Sequence, residues 1–306
     1  MKPLSPPLNL QVFRSLHPRM ALSENEMKYY HSLEKGYIGE QRFIWLLEKL
    51  HGESDILIFH NLVFEVNNSI FQIDTLIISS QNIYLSEVKN YTGDYWLEGN
   101  KLCIGSLKIT NPVHQLHRSE TLFQQLLDQN SLHFQLQSNV IFNNPEFHLY
   151  NSTQELPFVF PPQLKRHLQK LNLGSSILSP KHHQLASFLL SIHNDNLERA
   201  KLPKYNIHTL KKGIICPWCN SFLNMFSKNK MKCIQCKFIE ELDDSVMRSI
   251  KEYVLLFPNK PITVTDIIEW CNVFNTRKTV LRILTTKFCS INKGSASHYL
   301  FPNGKV

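Results

Sequence analysis

Two neighbouring stretches of the chain, 70–79 and 82–90, are apolar almost without interruption: Ile70, Phe71, Ile73, Leu76, Ile77 and Ile78, then Ile83, Leu85 and Val88. Continuous apolar strands are what a sheet covered on both faces requires. The polar Ser80-Gln81-Asn82 between them predicts the turn of a hairpin. Residues 55–66 (DILIFHNLVFEV) read as a preceding strand. Upstream, Ser23 and Glu26 have capping-box spacing and predict a helix running to about Leu50, with Phe43, Leu46, Leu47 and Leu50 as its apolar stripe. Gly36 and Gly39 within it predict either a break or a close packing contact. Further short strands are expected around 94–98 and 101–109, a helix from Asn111-Pro112 to about Gln129, and a strand at 140–142. Helices interleaved with strands of a mixed sheet make a layered α/β domain.

The pattern changes beyond residue 150. Phe158 to Pro162 reads as a loop, followed by a short helix ending near Gly174. Ser179-Pro180 has the form of an N-cap with proline at the first helical position, and its helix is expected to turn Leu185, Phe188, Leu189 and Ile192 inward. His182, His183 and His193 have no acidic or cysteine partners in the pattern and read as core or solvated histidines. A linker covers about 201–212. Helices are then expected at 245–257 (stopped by Pro258), Thr263–Cys271 and Thr276–Phe288, followed by two strands joined at Gly294. Three helices and a terminal hairpin are similar in outline to a winged helix. The third helix carries Arg277, Lys278, Arg282 and Lys287, suited to a groove or backbone contact with nucleic acid.

Candidate chemistry falls in two places. The first is the apolar hairpin, which holds Asp74 on one strand and Glu87 and Lys89 on the next. Side chains alternate along a strand, so Glu87 and Lys89 face one way and Val88 the other. Ionisable groups in a covered strand are costly unless paired or bound to a metal. Two carboxylates and an ammonium suit metal-assisted phosphodiester cleavage, with Mg2+ or Mn2+ held by hard oxygen ligands. The second place is Cys216, Cys219, Cys233 and Cys236, two C-x2-C pairs flanking a short hairpin. Four such thiolates form a closed tetrahedral Zn2+ site, structural rather than catalytic. Lys228, Lys230, Lys232 and Lys237 surround it as possible phosphate contacts. Cys103, Cys271 and Cys289 are expected as buried free thiols.

Charge locates the expected partner. The 306-residue chain has 33 Lys+Arg against 25 Asp+Glu, but residues 201–306 hold 17 against 7 while residues 1–200 hold 16 against 18. A positive field of +10 on one third of the chain, beside −2 on the rest, points to an anionic polymer. No apolar stretch has the length of a membrane span and residues 1–20 lack a signal-like apolar core, which makes the cytoplasm the default location. The Pro-rich start reads as an arm laid over the domain.

Four blocks in order carry a family resemblance: Gly36-Tyr37-Ile38-Gly39-Glu40; Gln72-Ile73-Asp74; Glu87-Val88-Lys89-Asn90-Tyr91 with Gly93; and Asn111-Pro112-Val113 with Gln115. Over about residues 30–150 the chain resembles the nuclease-related domain (NERD) family of the PD-(D/E)XK restriction-endonuclease-like superfamily. The resemblance implies a restriction-endonuclease-like mixed sheet flanked by helices, with Asp74 and Glu87 ligating the divalent metal and Lys89 polarising the attacking water. It also implies Glu40 as a further ligand or water-positioning group and Gln115 as a polar contact. The domain order expected is an arm (1–30), a nuclease-like domain (31–150), a helical extension and linker (151–205), a zinc ribbon (213–240) and a winged-helix-like module (245–306). The function expected is a Mg2+-dependent nuclease acting on nucleic acid, most simply DNA. The alternative is a non-catalytic DNA-binding or regulatory adaptor on the same fold. Strandedness, oligomeric state and any helicase partner stay open at this point.

Overall fold

The computed structural model describes residues 4–51, 55–171, 177–197, 202–273, 277–291 and 298–300. The chain forms two compact units: 1–10 with 28–201, and 11–27 with 202–306. Helix α1 (Leu8–Leu16) and helix α2 (Glu24–His51) each span a boundary between them. Within the segment expected as an arm, α1 forms because Leu10, Val12, Phe13 and Leu16 bury one apolar face almost completely. The capping box opening α2 is present. The Ser23 amide donates to Glu26 Oε2 at 2.7 Å, and the Glu26 amide to Ser23 Oγ at 3.3 Å.

In the first unit, β1 (Leu57–Val66), β2 (Ser69–Ile78) and β3 (Asn82–Lys89) form an antiparallel meander. The chain then makes β4 (Gly93–Glu98), β5 (Lys101–Ile104) and β6 (Leu107–Thr110) before helix α3 (Pro112–Gln129). The single strand expected over 101–109 is split by a turn at Gly105, whose φ of +55° suits glycine. Asn111 caps α3, its Oδ1 accepting from the Val113 amide at 3.0 Å. Strand β7 (Gln135–Phe142) lies parallel to β3, and β8 (Phe147–Tyr150) parallel to β4. Residues Phe158–Val159 form β9, parallel to β7, where the sequence pattern suggested a loop. Helices α4 (Pro161–Lys170) and α5 (Pro180–Ile192) complete the unit.

The result is a mixed five-stranded sheet, β1-β2-β3-β7-β9, with a second sheet of order β6-β5-β4-β8. On one face of the larger sheet, Phe123 and Leu127 of α3 and Leu185 and Leu189 of α5 pack on Phe59, Leu76, Ile78 and Leu85. On the other, Phe43 and Leu47 of α2 and Leu164 and Leu168 of α4 cover Ile58, Ile77, Val88 and Ile141. Helices on both faces explain the unbroken apolar character of the central strands. Ile192, expected inward, is exposed at the end of α5. One buried row departs from the apolar pattern: His60, Thr75, Ser86 and Asn139 align across β1, β2, β3 and β7.

In the second unit, β10 (Leu223–Ser227), β11 (Lys230–Cys233) and β12 (Ile239–Glu241) form a small antiparallel sheet. Helices α6 (Leu242–Leu256), α7 (Val264–Cys271) and α8 (Arg277–Lys287) follow, then β13 (Cys289–Ile291) paired with β14 (His298–Leu300). Gly174 and Gly294, the expected helix end and hairpin turn, lie outside the described residues. Val12 and Leu16 join this unit's core with Val246, Ile250, Ile267, Trp270 and Leu284. Arg19 is buried there. Its guanidinium donates to both carboxylate oxygens of Glu252 (3.0 and 2.6 Å) and to the Lys211 and Gly213 carbonyls (2.6 and 2.8 Å). It also lies 3.9 Å from the centre of the Trp270 ring. Cys103 and Cys271 are buried as expected, but Cys289, on the short β13, is exposed.

Candidate active site and metal centre

The hairpin of β2 and β3 brings Asp74, Glu87 and Lys89 together. Asp74 lies where β2 comes alongside the end of β3, and its Oδ2 accepts from the Val88 amide at 2.9 Å. Glu87 and Lys89 share a face of β3 while Val88 packs in the opposite layer. Lys89 Nζ donates to Glu87 Oε1 at 2.6 Å and to Gln115 Oε1, on α3, at 3.1 Å. Four of the five residues expected at the site are therefore within one connected group.

Burial sets the electrostatics. Asp74 and Glu87 are both nearly inaccessible. Loss of solvation pushes the Asp74 carboxyl up, opposed by Lys89 and by the Val88 amide. Desolvation, then the neighbouring Asp74, raises Glu87 to about 8, against the pull of Lys89. For Lys89, burial favours the neutral amine, but Glu87 and Asp74 together outweigh it and hold the ammonium above its ordinary range. One cation thus serves two desolvated carboxylates, and a second positive charge at the same place would relieve both.

Glu40 is joined to Asn61, which falls between the His60–Thr75 and Leu62–Ile73 pairs, across from Asp74. Glu40 projects from α2, is buried, and accepts from Asn61 Nδ2 at 3.0 Å, while Asn61 Oδ1 accepts from Gln72 Nε2 at 3.1 Å. Among the described residues, the sole set of three or more metal-binding side chains with all ligand atoms within 4.8 Å of one another is a cysteine cluster. Glu40 with Asp74 and Glu87 is not such a set. Asn61 was not foreseen: it adopts φ +50° inside β1, a conformation asparagine tolerates and sequence periodicity does not reveal. The close packing expected of the α2 glycines is realised at Gly39. A Cβ placed there would sit 2.6 Å from Asn90 Cβ, whereas nothing lies within 4 Å of one at Gly36. Asn143 Nδ2 donates to the Gly39 carbonyl and Asn90 Nδ2 to that of Lys35 (2.8 Å), fixing α2 against the end of β3.

In the second unit Cys216, Cys219, Cys233 and Cys236 converge, with Sγ separations of 3.5 Å (Cys216–Cys236) and 3.4 Å (Cys219–Cys233). A tetrahedral zinc with Zn–S bonds of about 2.3 Å places its sulfurs roughly 3.8 Å apart, so the set fits the ion. The Ser221 hydroxyl lies 3.1 Å from Cys233 Sγ and 2.9 Å from Cys219 Sγ. Its hydrogen bond, with help from the Cys236 amide, draws the Cys233 thiol down to about 6. The metal-binding form is the thiolate. Arg277, Lys278, Arg282 and Lys287 are all exposed on α8, but they do not form one row. Arg282 is paired with Asp243 at 2.6 Å, and at 100° per residue Lys287 lies about 140° round the helix from it.

Residues 35–143 match the family model of the nuclease-related domain (NERD). The first unit therefore carries a nuclease-related domain, and the match covers the β2–β3 hairpin, α3 and every residue of the connected group. No curated protein and no solved structure matched the chain. No helix among the described residues is long and apolar enough to cross a membrane.

Proposed function

We propose that the first unit hydrolyses phosphodiester bonds in nucleic acid, in the manner of a PD-(D/E)XK nuclease, with the second unit contributing binding. The observation that supports this reading best is the convergence of Asp74, Glu87 and Lys89 in a sheet otherwise packed on both faces. Structural ion pairs are rarely placed where both carboxylates are desolvated and underneutralised. The oxygen-only donor set, short of positive charge, fits Mg2+ or Mn2+. A divalent cation there would supply Lewis-acid stabilisation of the scissile phosphate.

The chain's own groups do the rest. Asp74, fixed by the Val88 amide, and Glu87 present acceptor oxygens in a set orientation. Lys89, steadied by Gln115, donates to the attacking water and offsets the charge that develops as the new P–O bond forms and the old one breaks. Glu40, through Asn61, keeps α2 in register with β1 and stands as a positioning residue. The cysteine set binds structural zinc, and the +10 charge of residues 201–306 draws the polymer in. DNA is the substrate this reading favours, with the three helices and terminal strands of the second unit acting as a winged-helix-like contact.

Lys89→Ala tests the assignment. It should lower metal-dependent turnover on labelled nucleic acid about 10²–10³-fold while leaving affinity nearly unchanged, since the ammonium acts mainly on the transition state. An unaltered rate would leave the trio as a structural network and favour a non-catalytic adaptor.

A further inference from the structure

Helix α2 shows solvent a regular row of side chains that hydrolysis leaves unused. Lys28, Lys35, Arg42 and Lys49 recur at every seventh residue, and His31, Ile38 and Trp45 stand three residues after the first three of them. All seven are exposed. The 3–4 spacing keeps them on one side of the helix, drifting by about 20° per heptad. Their reverse side is the stripe that buries Phe43 and Leu47. Ile38 is 51% and Trp45 61% exposed. A merely solvated face has no need of either, and large apolar groups exposed in a row mark a contact surface.

We infer that this row seats the backbone of double-stranded nucleic acid on the nuclease-related unit. The inference rests on the proposed function and names the form of its substrate. Charge is the first argument: the row carries four cations, against three carboxylates beside it on the helix surface, Glu24, Glu34 and Glu48. Spacing is the second. Seven residues of helix rise about 10.5 Å, close to three base-pair steps of about 3.4 Å, and Lys28 to Lys49 extends about 31 Å, or roughly nine base pairs. Position is the third. Asn90, the residue after Lys89, donates to the Lys35 carbonyl, so the middle of the row lies level with the end of β3, on the helix that covers the sheet face opposite Glu87 and Lys89.

Other occupants fit less well. Pairing with a second copy along this seam would set Lys or Arg against Lys or Arg at every a position, the arrangement that coiled coils avoid. A single strand binds by stacking bases on open aromatic faces, yet Lys49 Nζ already lies over the Trp45 ring, 5.0 Å from its centre. A 28-residue helix also matches a stiff duplex better than a flexible strand.

The test uses the full chain carrying Glu87→Gln to prevent cleavage, and a labelled 20-base-pair duplex titrated at several salt concentrations. Adding Lys35→Gln, Arg42→Gln and Lys49→Gln should weaken duplex binding at least tenfold. It should also flatten the log–log salt dependence by about 2.7, three contacts at about 0.9 each. The exchange Lys35→Arg, Arg42→Lys and Lys49→Arg should keep the slope, which separates lost charge from misfolding. An unchanged slope in the glutamine variant, or an equal or larger loss on single strands, overturns the inference. Hydrolysis is judged separately, by cleavage in the protein without Glu87→Gln. Cleavage with an indifferent row defeats only the row. A row that matters in a protein that never cleaves defeats only the hydrolytic reading.

Discussion

Replacing Gly39 by alanine isolates the contact that sets α2 against the candidate site. In an open helix interior, Gly→Ala stabilises by about 0.5–1 kcal/mol, because alanine restricts the unfolded chain and favours the helix. At Gly39 the added methyl would stand 2.6 Å from Asn90 Cβ, nearly 1 Å inside ordinary contact distance. Either α2 lifts or the end of β3 shifts. Overpacking of this kind costs about 1–3 kcal/mol, and the Asn143 and Asn90 hydrogen bonds to α2 carbonyls would lengthen at a cost of about 0.5–1.5 kcal/mol each. The net effect should be a loss of about 1–3 kcal/mol. Gly36, one turn earlier with nothing within 4 Å of a new Cβ, supplies the control and should gain about 0.5–1 kcal/mol as alanine. Urea unfolding, with hydrogen exchange of the α2 and β3 amides to assign the transition, reads both. Equal stabilisation by the two substitutions would refute the packing argument.

Three further outcomes are expected. Glu87 is raised from an ordinary 4.5 to about 8, so the metal-free fold retains a proton that the unfolded chain releases, and the stability this contributes in acid is lost as pH rises from about 4.5 to 8. A divalent cation needs the carboxylate, so the melting-temperature increase produced by Mg2+ should be larger at pH 8.5 than at pH 6.5 and absent in Glu87→Gln; the reverse trend would contradict the site. Elemental analysis should find about one zinc per chain, and Cys233→Ser should open residues 213–240 to protease while leaving the first unit intact. Arg19→Met strands the buried Glu252 carboxylate, whose pKa desolvation already raises against the pull of Arg19; it should cost the second unit about 3–5 kcal/mol, with Glu252→Leu recovering part of the loss, followed through Trp270 fluorescence.

Features whose cause is local were legible in the sequence. The Ser23–Glu26 capping box, the Asn111 cap, the β2–β3 hairpin and the paired C-x2-C motifs each need only a few neighbouring residues to define them. The close-packed glycine was readable as one of two possibilities, and Gly39 rather than Gly36 realises it. What stayed hidden depends on partners distant in the chain. Strand β9 has two residues and exists because Val140 and Ile141 lie parallel to it. The buried row of His60, Thr75, Ser86 and Asn139 interrupts four strands once each, which no single strand's pattern marks as a row. Helix α1 was not marked in the Pro-rich start because the core it joins lies some two hundred residues away. The seven-residue repeat on α2 was present in the letters, but only burial shows that it is the outward face and not the core stripe. Arg282 appeared available for nucleic acid until Asp243, on α6, was found beside it.

Arg19, Val12 and Leu16 give the second unit a history as well as a shape. Residues 11–27, which complete its core, leave the ribosome well before the rest of that core, which begins at residue 202, roughly 175 residues later. At about 5–20 residues per second, the early segment waits about 9–35 s for its partners while the whole nuclease-related unit is being made. During that interval its apolar side chains and a guanidinium without its carboxylate are open to chaperones, or to the wrong chain. A nick near residue 200 in the finished protein would not release the C-terminal part cleanly either, since a piece of its core belongs to the other fragment. Production of this protein should therefore be limited less by the stability of either unit than by how well residues 11–27 are protected until residues 202–306 arrive.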